Sequence, residues 1–150
     1  MPEQQFDVRE DVTLHIQRCD DELAISESRQ GQLILTSSAD GAWDASHDEQ
    51  SHTIHLTIHR PTKVFAPSSA RVVVDQAGGK VEVREIRGAV SLRGLGNGAR
   101  LERLRGDVTC DRGAGKLVAR DLGGAVTVDT WDGDVEVGEL PGTCAVNGVT

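Results

Sequence analysis

Apolar and polar residues alternate along most of the chain, and over its second half they do so on a fixed nine-residue frame. Stepping by nine from Gly79 meets Gly88, Asn97, Gly106, Gly115, Gly124, Gly133 and Gly142. Two residues after each comes an apolar side chain: Val81, Val90, Ala99, Val108, Leu117, Val126, Val135 and Cys144. Two further on stand Val83, Leu92, Leu101, Cys110, Ala119, Val128, Val137 and Val146. A third series, Ile86, Leu95, Leu104, Leu122, Trp131, Leu140 and Val149, is broken only at Gly113, and the frame reaches back through Val72, Val74 and Ala77. Apolar residues at i and i+2 make a short strand with one inward face. The glycine before each strand marks a corner that is left-handed or leaves no room for a side chain, and Asn tolerates such a backbone best after Gly. No 3.6-residue stripe occurs, and glycine recurs too often for helix.

One such strand cannot bury its apolar face alone, so the units must stack into a shared core. The outward residues tell how many units make one coil, because stacked strands lie about 4.8 Å apart and neighbours must tolerate each other. At a spacing of 18, Glu82 meets Arg100, Arg84 meets Glu102, Glu102 meets Arg120, Glu85 meets Arg103 and Arg103 meets Asp121. All five pairs are of opposite charge. Ser91, Thr109 and Thr127 form a hydroxyl row on the other face. The expectation is an all-β, single β-solenoid (β-helix) of nine-residue G-x-V-x-V-x-x-L-x units. Two units make each 18-residue coil, giving two facing parallel sheets.

Upstream the pattern loosens without stopping: Val12, Leu14, Ile16; Leu23, Ile25; Leu33, Leu35; Ile54, Leu56, Ile58. The polar stretch from Ser37 to Ser51, with Asp40, Gly41, Asp44, Asp48 and Glu49, reads as a long surface loop. Residues 1–69 are expected to form irregular coils that cap the regular repeats of 70–150, one continuous domain; a separate small β-sandwich is the alternative.

Composition narrows the picture. Two Phe, two Trp and no Tyr among 150 residues leave an aliphatic core, and the length suits one domain. No apolar run is long enough for a spanning helix, and the polar N-terminus has no signal-peptide pattern, so cytoplasmic residence is expected. A net charge of -8 argues against nucleic acid and against membrane insertion or anionic lipid. The charge is uneven: residues 79–120 carry 10 basic and 5 acidic side chains, and residues 121–150 carry none and 6.

Candidate chemistry is sparse. Cys110 and Cys144 fall on inward positions and behave as small hydrophobes, and Cys19, beside Asp20 and Asp21 near a turn, is no activated nucleophile. An odd cysteine count without a bridgeable pair fits a reducing compartment. His55 and His59 share an outward face but stand about 13 Å apart on a strand, so one metal ion would need a cross-strand ligand such as His15. Exposed strand histidines are the expected reading. Asp111 stacks on Asp129, and Asp121 on Glu139; such like charges call for a bound cation or for side chains splayed into water, and splaying is the expected reading. The repeat lacks the glycine and aspartate density of calcium-binding nonapeptides. With no G-x-S-x-G elbow, no phosphate loop and no H-E-x-x-H, the expectation is no enzyme, no catalytic, cofactor-binding or metal residues, and no cofactor.

Arg105-Gly106-Asp107-Val108-Thr109 and Asp132-Gly133-Asp134-Val135-Glu136-Val137 resemble the S-G-D-V-x-V repeats of the DUF4097 putative-adhesin family, and Ile54 to Pro61 resembles that family's last strand before its repeats. The resemblance covers about residues 50–142. It implies a β-solenoid, in some members tied to the bacterial cell envelope, and carries over no catalytic residues. In architecture the chain is also similar to the bactofilins, which polymerise end to end. The resulting expectation is a non-enzymatic scaffold or interaction protein that self-associates, as a tail-to-tail dimer or filament, through an open C-terminal rung at Gly142, Cys144, Val146 and Val149. A chain continuing past residue 150 would bury that rung itself. The alternative is a binding module presenting a ladder face to a peptide, glycan or envelope component.

Overall fold

The computed structural model describes residues 3–8, 11–28, 32–37, 40–67 and 69–138, and the backbone of 144–147. These residues form an all-β architecture of two eight-stranded sheets, mostly parallel, and neither sheet closes into a barrel. The strands are β1 (Glu3–Phe6), β2 (Thr13–Cys19), β3 (Leu23–Glu27), β4 (Leu33–Thr36), β5 (Trp43–Asp48), β6 (Thr53–Ile58), β7 (Thr62–Ala66), β8 (Arg71–Val74), β9 (Val81–Arg84), β10 (Val90–Arg93), β11 (Ala99–Glu102), β12 (Val108–Ala114), β13 (Leu117–Arg120), β14 (Val126–Asp132), β15 (Val135–Gly138) and β16 (Cys144–Asn147). One sheet runs β1-β4-β7-β3-β9-β11-β13-β15, the other β16-β14-β12-β10-β8-β2-β6-β5.

From β8 onward the chain alternates between the sheets, and each strand pairs in parallel with the next strand but one. Val90 lies against Val108, Val108 against Val126, and Val126 against Cys144; Val81 lies against Ala99, and Ala99 against Leu117. Parallel pairing needs a crossover of a dozen residues or more, and here the crossover is the strand of the opposite sheet with its two corners. The register puts like on like: Val81, Ala99 and Leu117 are at most 1% exposed, as are Val83, Leu101 and Ala119.

The third apolar series stacks in the same way, and its gap at Gly113 has a cause. Gly113 is the register partner of Trp131. A Cβ on Gly113 would lie inside the indole, which is itself fully buried and donates from Nε1 to the Gly115 carbonyl at 2.9 Å. The missing side chain on one rung is the space filled by the large one on the next. Cys19 belongs to the other end of this column, bridging to Ala77, which bridges to Leu95. It is therefore a core residue that closes β2, although it borders a turn.

The corners hold two different kinds of residue. At Gly106 and Gly124 a Cβ would fall on the carbonyl group of the glycine one rung below, so the constraint is closeness of stacked backbones. Gly115 and Gly133, at the same frame position, are themselves left-handed, with φ of 96° and 129°, and a second left-handed residue sits six positions after the frame glycine. Glu85, Arg103 and Asp121 have φ of 58°, 53° and 52°, and Arg112 and Thr130 both have 55°. The residue types give no sign of this; only their place in the repeat does.

The N-terminal strands join the same two sheets, in an order the sequence does not suggest. β2 lies between β6 and β8, and β3 between β7 and β9. The rung of residues 13–27 is thus sandwiched between that of 53–66 and that of 71–84. Leu14 meets Ile54 on one side and Val72 on the other. A register shift between Ile16 and Arg18 takes up one residue against β6.

The stretch from Ser37 to Ser51 is not the long loop expected. Its residues 43–48 form β5, antiparallel to β6 with Trp43 opposite Ile58 and Asp48 opposite Thr53. Trp43, Ala45 and His47 are half-buried while Asp44, Ser46 and Asp48 face water. Polar and acidic residues dominate because β5 is the edge of its sheet, where charge discourages further pairing. β1 and β4 close the other sheet, also antiparallel. The two closing layers touch: Trp43 Nε1 donates to Gln4 Oε1 at 2.8 Å, and Phe6 meets the His47 ring edge-on at 6.0 Å.

Candidate functional site

With the apolar positions turned inward, whatever the molecule presents is carried by its outer faces and its sheet edges. The outer column of the first sheet runs Thr36, Lys63, Ala24, Glu82, Arg100, Val118, Glu136. The register of the expected pairs is present, with Arg100 beside Glu82 and Glu102 beside both Arg84 and Arg120. The ion pairs follow it only in part. Arg103 Nη1 reaches Glu85 at 3.1 Å and Arg84 reaches Glu102 at 3.7 Å. Arg100 instead turns along its own strand to Glu102 at 2.7 Å, Arg84 also pairs with Glu82, and Asp121 takes Arg105 at 3.4 Å. Long side chains choose among several near-equivalent partners on an exposed sheet. The Arg100 hydrogen bond, aided by the charges of Arg100 and Arg84, holds the Glu102 carboxyl below its ordinary range.

Ala24 is short where its column neighbours Lys63 and Glu82 are long. The result is a groove of about 360 Å³ lined by Ala24, Ser37, Pro61, Lys63, Lys80 and Glu82, with balanced charge at its rim.

The second sheet's outer column runs Ser46, His55, His15, Val73, Ser91, Thr109, Thr127. The expected hydroxyl row is in register. Asp111 does lie beside Asp129, and Arg93 approaches Asp111 at 3.9 Å, which relieves the like charges. Glu139, the expected neighbour of Asp121, lies outside the described residues.

The histidines separate into two groups. His55 and His15 are register partners on adjacent parallel strands, their Nδ1 atoms 3.1 Å apart and their ring centroids 5.2 Å apart. His15 Nε2 in turn meets Asp75 Oδ2 at 2.6 Å. His59 stands apart from both, with Nε2 on Asp44 at 2.9 Å and Nδ1 3.8 Å from Asp20. Among the described residues no group of three or more His, Cys, Asp or Glu is placed to share a metal ion. His15, the cross-strand side chain that a site at His55 and His59 would need, meets His55 alone, through the β2–β6 pairing, which no local pattern signals.

Neither described thiol, Cys19 or Cys110, is activated as a nucleophile. Burial pushes Cys110 up to about 12 and, with Asp20 and Asp21 adding to it, Cys19 up to about 11. Cys19 Sγ also donates to the Asp21 carbonyl at 2.8 Å.

The two ends of the sheets differ. One is covered by the antiparallel strands β1, β4 and β5. At the other, β15 and β16 are the edge strands among the described residues, and Val135 and Val137, at repeat positions sealed elsewhere, are only partly buried. Gly142 and Val149 lie outside the described residues, as do the side chains of Cys144 and Val146. No helix among the described residues is long and apolar enough to cross a membrane.

No family model matches the chain, DUF4097 included, and no curated protein matches it. Among solved structures, a putative adhesin from Bacteroides fragilis NCTC 9343 aligns over 99% of this chain and 95% of its own, at 13% identity and a TM-score of 0.30. A likeness that distant says nothing of what this chain does.

Proposed function

We propose that this chain is a non-enzymatic β-solenoid scaffold, an 18-residue coil stacked on itself, that associates with a second copy through the open edges of β15 and β16. The contrast between the two ends carries this reading. An uncovered rung leaves a row of unpaired N–H and C=O groups and part of the apolar core in contact with water. Two copies meeting edge to edge about a two-fold axis satisfy both needs, and one covered end stops the assembly at a dimer. The outer faces, ladders of exchangeable ion pairs and hydroxyls with buried thiols beneath, favour a structural role over catalysis. The charge of -8 favours protein partners over nucleic acid and anionic membrane surfaces.

Light scattering of the purified chain as a function of concentration tests the proposal. The expected result is a dimer at micromolar concentration that becomes monomeric when Val146→Lys is combined with Thr143→Glu, with circular dichroism unchanged. A monomer persisting at several hundred micromolar overturns it. A second reading, a binding module, is favoured by the groove beside Ala24, whose Lys63, Lys80 and Glu82 could orient a polar ligand. A panel of glycans and peptides, read by chemical shift changes at Ala24 and Lys63, tests that reading.

A further inference from the structure

We propose that His15 and His55 form a two-imidazole surface site for one divalent transition-metal ion of the zinc, nickel or copper class, completed by water and oriented by Asp75. The starting point is the identity of the atoms that face each other. Asp75 Oδ2 lies 2.6 Å from His15 Nε2, and an ionised carboxylate only accepts, so the proton of a neutral His15 sits on Nε2. Its lone pair is then on Nδ1. That atom points at Nδ1 of His55, 3.1 Å away. A neutral His55 joins this contact only by donating its own Nδ1 proton, which must move to Nε2 before a metal ion, standing to one side of the line between the two nitrogens, can take both lone pairs.

The spacing fits. Two nitrogens 3.1 Å apart, each at about 2.05 Å from an ion, subtend an angle of about 100°, between square-planar and tetrahedral values. Imidazole pairs select borderline ions such as zinc, nickel or copper over calcium and magnesium, which take oxygen ligands. Asp75 acts on the ring from behind, as carboxylates do at histidine metal sites, fixing the tautomer and the ring plane. The side chains stand on β2 and β6, central strands whose inward neighbours Leu14, Ile16, Ile54 and Leu56 are at most 1% exposed, so the rings ride on a rigid backbone. The remaining positions open to solvent, since His15 keeps 24% of its side-chain surface. His59 provides the contrast. Both of its nitrogens face carboxylates, and it has no second imidazole beside it.

The test is isothermal titration of zinc chloride into the metal-free full chain at neutral pH, with His55→Ala, Asp75→Asn and His59→Ala beside it. One equivalent is expected for the unaltered chain and for His59→Ala. His55→Ala should lose the site, and Asp75→Asn should bind roughly tenfold to a hundredfold more weakly. A second arm needs no variant: substoichiometric copper(II) should broaden the NMR signals of the His15 and His55 rings before those of His47, His52 and His59. Absence of binding at millimolar zinc, equal binding by His55→Ala, loss in His59→Ala, or uniform broadening of all five rings would each overturn the proposal. The dimer proposed above is read by mass, so either proposal can fail without the other.

Discussion

The two halves of the molecule build the same pair of sheets by different means. Between residues 71 and 138 every rung lies on its sequence neighbour, so each position finds the same environment again two units further on. The core there mixes small side chains, Val72, Val74, Val81, Val83, Ala99 and Ala119, with leucines such as Leu92, Leu101, Leu104 and Leu117, and its corners bring glycine backbones close to one another. Between residues 3 and 66, apart from the β5–β6 hairpin, paired strands are remote in sequence: Leu14 contacts Ile54 and Val72. Its core uses larger side chains, among them Leu14, Ile16, Leu23, Ile25, Leu33, Leu35 and Ile58, and three antiparallel strands end the stack. A regular sequence is needed only where identical corners must nest. A capping region has to fill one space once, and big aliphatic residues do that without a period.

The sharpest way to break this comparison is at the one place where the regular half departs from uniformity. Trp131→Ala should cost about 3–5 kcal/mol, because its indole fills the space left by Gly113 and nothing else can. A loss below about 1 kcal/mol in urea unfolding would mean the Gly113–Trp131 pair is no lock.

Glycines of the two halves should respond differently. Gly115 has φ +96° and a Cβ there would lie 2.7 Å from the Gly98 nitrogen, so Gly115→Val should cost about 2 kcal/mol or more. Gly41 is also left-handed, at φ +65°, but has open space around it, so Gly41→Ala should cost only about 1 kcal/mol. Thr127→Val, on the outer face, should stay within about 0.5 kcal/mol. Equal thermal midpoints for Gly115→Val and Thr127→Val would contradict the nested-corner account.

The left-handed corners predict a gain. Arg112 holds φ 55° without a glycine, so Arg112→Gly should stabilise by about 0.5–1 kcal/mol. A destabilised variant in thermal denaturation would show that the arginine side chain contributes more than the strain costs.

The smallest effect is electrostatic. The Glu102 carboxyl is held below its ordinary value of 4.5, so its stabilisation is present above that pH and lost as pH falls. Glu102→Gln should cost about 0.2–1 kcal/mol at pH 7 and less at pH 3, as the Glu102 carboxyl takes up its proton. Equal differences from the unaltered chain at the two pH values would rule out Glu102 as an ionic contributor.

The strand period, the inward residues and the 18-residue register were legible because each is written locally. Alternation sets the face, and opposite charges at a fixed spacing report the next rung. Three features came only from the tertiary structure. The insertion of β2 and β3 between later rungs depends on which apolar faces meet, and Leu or Ile at every inward position fits several orders equally well. β5 was concealed because an edge strand needs only half of its residues apolar, so Trp43, Ala45 and His47 stand alone among acidic and hydroxyl side chains. The contact between His15 and His55 follows from that same rung order. Two residues so remote in sequence become neighbours only when the backbone ladder between their strands is formed, and no side chain in the sequence specifies that ladder.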